Sequence, residues 1–150
     1  MEGMREGVVP IEGADDTILH YTVSSADNKE LLDVFKFFSD NTDVEWELFV
    51  YEDGYAVLAT DHLQDVFYNM SYNHYLKYED PDISKSQLLS KVHNHNKPYK
   101  SERSSMAHDK TNSGYLTDVK NYVYFGASGN VYLVTGQGIS LIGKIGDLEL

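Results

Sequence analysis

Cysteine is absent from the chain. Disulfides and thiolate metal sites are therefore excluded, and any bound metal must be held by His, Asp or Glu. The lack of cysteine does not fix a compartment, because export does not require oxidation. Long apolar runs are missing too. No segment is long or apolar enough to span a membrane. Met1–Gly13 is polar and acidic, without the apolar stretch of a signal peptide; an export signal can still lie on a longer parent protein. Positive charge is scarce, with 12 Lys and Arg against 24 Asp and Glu, a formal net charge of −12. So acidic a surface repels phosphates and argues against nucleic acid as a partner. It suits solubility or a basic partner, either a substrate or a neutralising protein. No serine nucleophile elbow is found. Gly136-Gln137-Gly138 follows a strand pattern but precedes no helix pattern, so it reads as a hairpin turn and not as a phosphate loop.

What is present is enough for one globular domain. Apolar residues make up 41 % of 150, and tyrosine occurs 12 times. A core of useful size is affordable at that length. With no internal repeat or composition break, residues 1–150 read as a single domain, with 1–15 as a flexible leader. Thr17 to Val23 alternates like a strand. Asp27 to Glu30 has the form of a capping box, and Leu31, Val34, Phe35 and Phe38 follow at helical spacing. Val44 to Tyr51 and Tyr55 to Thr60 read as a hairpin around Glu52-Asp53-Gly54. Asp61 to Tyr78 has the spacing of an amphipathic helix, with Leu63, Val66, Phe67 and Met70 inward. Leu88 to Asn94 reads as a strand, Asn96 to Arg103 as a loop, and Ser104 to Lys110 as a short helix. Three strands follow, at Tyr122 to Phe125, Val131 to Thr135 and Ile139 to Ile145.

The chemistry concentrates at Val92-His93-Asn94-His95-Asn96. Two histidines one residue apart project from the same side of a strand, so their ring nitrogens can converge on one ion. Neutral imidazole is a common zinc ligand. Alone, the pair fits surface histidines in a polar loop equally well. Ten residues separate His95 from Met106, and Asp109 lies three further on.

This order, H-x-H followed by S-x-x-D with Met106 in the serine position, resembles the JAMM (JAB/MPN) metallopeptidases. Thr42-Asp43-Val44-Glu45-Trp46 leading through a hairpin to Ala59-Thr60-Asp61-His62 looks like the JAB-like toxin domains of bacterial polymorphic toxins. So does Tyr122-Val123-Tyr124-Phe125 running on to Gly129-Asn130-Val131-Tyr132. The resemblance spans roughly Glu45 to Thr135. It implies an α/β fold, a JAMM-type sandwich of a curved mixed sheet flanked by helices, with the metal at the sheet edge. It implies Zn2+ held by His93, His95 and Asp109, and hydrolysis of peptide or isopeptide bonds. A glutamate from an earlier strand would take the proton of the attacking water. Glu45 is the first candidate and Glu47, on the same strand face, the second. The implied setting is the toxin domain of a larger secreted bacterial protein, acting in a target cytoplasm, with a peptide or protein substrate and a cognate immunity protein as partners.

Two departures bear on activity. Asn96 follows His95 where the family often has proline, and Pro98 comes later. Met106 cannot donate a hydrogen bond to an oxyanion. Three readings stay open. Ser105, at i, i+4 from Asp109, substitutes as donor; the loop is shifted by one residue; or the domain binds metal but is catalytically impaired and serves as a binding module. An unrelated acidic partner-binding or immunity protein with a surface H-x-H is a further alternative. His108 reads as a surface histidine and His62 as buried or supporting, while His20 and His74 have no convincing partners. Tyr68, Tyr72, Tyr75 and Tyr78 fit half-buried packing or a substrate groove.

Overall fold

The computed structural model describes residues 5–10, 17–60, 82, 87–95, 100–107, 109, 110 and 118–150. The amphipathic stretch expected over 61–78, its tyrosines, and His62, His74 and His108 lie outside these residues, as does the side chain of His20.

The strands are β1 (Arg5–Pro10), β2 (Thr17–Ser25), β3 (Glu47–Tyr51), β4 (Ala56–Thr60), β5 (Leu88–His95), β6 (Lys120–Phe125), β7 (Asn130–Thr135) and β8 (Gly138–Lys144). They form one eight-stranded sheet in the order β1-β2-β4-β3-β5-β6-β7-β8. All neighbours run antiparallel except β5 and β6, which are parallel. A parallel pair needs a crossover connection. Here the crossover contains the short helix α2 (Glu102–Ser105). The molecule is thus an α/β domain with a mixed sheet, as expected.

Helix α1 (Asn28–Asn41) begins where the capping signal stands. The Asp27 carboxylate accepts from the main-chain N–H groups of Lys29 and Glu30. The returning half of the box runs through a relay: the Asp27 N–H donates to Ser25 Oγ, and that hydroxyl donates to the Glu30 carboxylate. Leu31, Leu32 and Phe35 are buried from α1. They pack on Leu48, Val50, Leu58, Val92, Tyr122 and Tyr124 of the sheet. Burial of such side chains stabilises by about 1.5–3 kcal/mol each. Phe38 stacks on Trp46, with ring centroids 4.6 Å apart.

One face of the sheet is therefore filled by α1. The other carries Phe49, Val57 and Ala59, and, nearer β8, Val123, Phe125, Tyr132 and Val134. That second face is where α2 leads, because Met106, just past its end, packs among the last four residues and is fully buried.

Two expectations need correction. Residues 5–10, read as part of a loose leader, form β1 and pair with β2 from Arg5↔Thr22 to Pro10↔Thr17. Gly7 and Pro10 hid this strand, since both residues lower strand propensity; Pro10 sits at the last position of a strand that ends the sheet order, and edge strands are where proline is tolerated. The helical segment before Asp109 starts earlier than Ser104, at Glu102, with Ser101 accepting from the Ser104 N–H as its cap.

Candidate metal centre

Along β5 burial alternates. Ser90, Val92 and Asn94 are buried, while Lys91, His93 and His95 are partly exposed on the face opposite α1. The period-2 pleat thus sends both imidazoles the same way. The third group arrives from the crossover. After α2 the chain turns at Met106, and the Lys110 N–H donates to the Met106 carbonyl, closing one more helical turn that carries Asp109. Met106 and Asp109 are three residues apart on this turn, so sinking the thioether into the apolar cluster brings the carboxylate to the histidines.

The three side chains meet. His93 Nε2 lies 3.0 Å from Asp109 Oδ1, His95 Nε2 lies 3.0 Å from Asp109 Oδ2, and the two Nε2 atoms are 3.2 Å apart. One donor atom from each residue falls within 4.8 Å of the others. Tetrahedral ligands at about 2.0–2.1 Å from a zinc ion sit roughly 3.3 Å from one another. The spacing therefore fits the edges of one coordination shell, and the group is able to hold a divalent cation. The side chains are 15–17 % exposed, so the cluster is shallow and reachable from solvent.

β5 is interior, flanked by β3 and β6, and the two histidines stand toward its C-terminal end. The parallel β5–β6 pair is the reason: its crossover leaves from that end, where α/β sheets characteristically place their binding sites.

Electrostatics tie the group together. Burial alone would lower the pKa of His93. The hydrogen bond to Asp109 and the charges of Asp109, Glu47 and Glu45 outweigh it and raise the value to about 9. Burial would raise Asp109, but its bonds to His93 and His95 and their charges hold its carboxyl well below the usual range. Glu47 and Glu45 both add to the negative charge felt at His93. Glu47 pairs with His93 in the β3–β5 register, and Lys91 Nζ lies 2.9 Å from its Oε1. Glu45 is buried beside it, two residues before. Ser105 is at the last position of α2, and its hydroxyl donates to the Ser101 carbonyl at 2.9 Å.

Several supporting residues escaped the sequence reading. Glu102 accepts from Ser128 Oγ at 2.7 Å, Tyr132 OH at 2.8 Å and Asn130 Nδ2 at 2.9 Å. Arg103 donates to the Ile139 carbonyl at 2.9 Å and lies over the Tyr132 ring. Together they pin α2, and hence Met106 and Asp109, to β7 and β8. Lys91 was visible as a same-face neighbour of His93 at the i−2 position, but its partner Glu47 is distant in sequence.

The Toxin-JAB1 family model, described as JAB-like toxin 1, matches residues 23–128, which include β3 to β6, Glu45, both histidines and Asp109. Comparison with curated proteins and with solved structures returns no match. The family match covers well over half of the chain and agrees with the α/β fold and the His-His-Asp group. The chain belongs to the JAB-like toxin 1 family and is a toxin domain of the JAB/MPN type.

Proposed function

We propose that the domain is a zinc-dependent hydrolase of peptide or isopeptide bonds. The observation that carries this reading is the convergence of His93, His95 and Asp109 within one coordination shell, beside two buried glutamates. When bound there, zinc supplies Lewis acidity, polarising the scissile carbonyl and making a water acidic near neutral pH. Glu45 takes the proton of the attacking water and passes it to the leaving amine as the C–N bond breaks. Glu47 is the weaker candidate for that role, because Lys91 already engages its carboxylate. Ser105 is the proposed oxyanion donor. A rotation about one bond would release its hydroxyl from Ser101, and it stands four residues before Asp109, at the end of the helix that leads into the turn carrying that carboxylate. The partners are a peptide or protein substrate and, as for a toxin, an immunity protein able to face a chain with net charge −12.

The test is turnover of peptide and isopeptide substrates by the purified domain. Hydrolysis should stop with a chelator and return with zinc, and Ser105→Ala should lower it about a hundredfold at unchanged zinc affinity. Chelator-resistant hydrolysis, or none with any substrate, would refute the reading. The absence of turnover in a zinc-loaded protein would favour the binding-module alternative. One observation already supports that alternative: Met106, at the family's serine position, is fully buried in apolar packing.

A pH signature follows from His93. Its folded value, about 9, lies above the ordinary 6.5, so at pH 7 the metal-free protein holds the proton. Its bond with Asp109 therefore stabilises the metal-free fold fully below pH about 6.5, and that stabilisation is lost as pH rises through about 9. Ligation needs the neutral ring. Zinc binding at pH 7 should release about one proton, and apparent affinity should climb roughly tenfold per pH unit before levelling above pH 9. Calorimetry in buffers of different ionisation enthalpy checks this; binding without proton release at pH 7 would contradict it.

A further inference from the structure

Asn94 stands between the two histidines, yet the pleat turns its side chain to the opposite face, where it is 1 % exposed. A buried primary amide must find partners for both its donors and its acceptor. Asn94 finds a partner for its oxygen and one for its nitrogen on one short stretch of main chain. Its Oδ1 accepts from the Trp46 N–H at 2.6 Å, and its Nδ2 donates to the Val44 carbonyl at 3.2 Å. Its own N–H donates to the Trp46 carbonyl at 3.3 Å. The side-chain bonds bracket Glu45. From the other flank, β4 reaches the same residue: Thr60 Oγ1 donates to the Glu45 carbonyl. Regular pairing of β3 begins only at Glu47↔His93, so Glu45 lies past the end of the ladder. Asn94 and Thr60 extend by side chain what the strand backbone no longer supplies.

We propose that Asn94, assisted by Thr60, is a positioning residue that sets the Glu45 carboxylate against the His93–His95–Asp109 group. The strand that presents the histidines from one face thereby also grips the main chain of the base from the other. The register between base and ligands is thus fixed by one residue at the midpoint of H-x-H. The catalytic part of this inference rests on the reading of Glu45 as the base; the structural part does not.

The experiment compares wild type, Asn94→Ala and Thr60→Val, each with and without Glu45→Gln. Thr60→Val is nearly isosteric and keeps the test alive if Asn94→Ala does not fold. Turnover (kcat) should fall about a hundredfold in Asn94→Ala, as misplacing a catalytic group by an ångström does, with KM and zinc affinity within a few-fold of wild type. In Thr60→Val the fall should be about tenfold, the loss of one hydrogen bond. In the Glu45→Gln background neither change should cost anything more. Losses that remain additive with Glu45→Gln, or that come with lost zinc affinity, would show a merely structural role and overturn the proposal.

A second readout does not need turnover. Cobalt(II) loaded in place of zinc should speed the relaxation of the 13C-labelled Glu45 carboxyl, and Asn94→Ala should cut that enhancement at least about twofold. If the wild type shows the Asn94-dependent enhancement but hydrolyses nothing, the positioning stands and the hydrolase reading falls. If turnover and enhancement both survive Asn94→Ala and Thr60→Val, the positioning falls and the hydrolase reading stands.

Discussion

Glu45→Gln should yield a folded protein that binds zinc like the wild type and turns over about 10²–10⁴-fold more slowly. Glutamine keeps the size and the hydrogen-bonding length of glutamate, so the packing at this buried position survives. What it loses is the ability to accept a proton and hand it on. The main-chain bonds that hold the residue, from Asn94 and Thr60, do not involve its side chain and persist. Glu47→Gln is the informative control. It strands the ammonium of Lys91, whose side chain is only 14 % exposed, and should show first as a lower melting temperature. Turnover of Glu45→Gln within tenfold of wild type would remove Glu45 from the mechanism and transfer the role to Glu47.

The second large effect is on the metal. Structural zinc sites bind with apparent free energies of about 10–16 kcal/mol, so removing one of three protein ligands should cost roughly 3–5 kcal/mol, about 10²–10⁴-fold in affinity. His95→Ala and Asp109→Ala should each show this in competition titrations against a chromophoric chelator. Asp109→Ala has a further consequence. The carboxylate bridges both rings at 3.0 Å and is the largest favourable influence on His93, so its loss should return His93 toward neutrality at pH 7. The variant should then release almost no proton on whatever zinc it still binds. Unchanged affinity in both variants would mean the three side chains are not ligands.

Much of the scaffold was legible locally. The cap at Asp27, the hairpin at Gly54, whose φ of 82° suits glycine, and the strands at 88–95 and 120–144 all follow from turn chemistry and periodicity. The convergence of His93 and His95 follows from the pleat alone. The approach of Asp109 does not. It depends on Met106 finding Val123, Phe125, Tyr132 and Val134, and on Glu102 finding Ser128, Asn130 and Tyr132, contacts between residues far apart in the chain. Met106 read as a missing donor; its buried contacts show what it contributes instead, an apolar anchor for the turn that delivers Asp109.

Other features were hidden because local patterns carry no pairing information. Nothing in Leu88–His95 says that its neighbours are β3 and β6. Asn94 belongs to no motif of its own between the two histidines. Alternation alone would have put it on the buried face, and a buried amide obliges partners; asking for them would have pointed to an adjacent backbone, though not to Val44 and Trp46 by name.

The central claim is that His93, His95 and Asp109 hold one zinc ion. Elemental analysis of the protein purified without added metal, with Asp109→Ala prepared in parallel, tests it most directly. The expected result is close to one zinc per wild-type chain and less than about a tenth of that in the variant. A wild-type protein that carries no metal and takes up none when titrated with zinc would contradict the account.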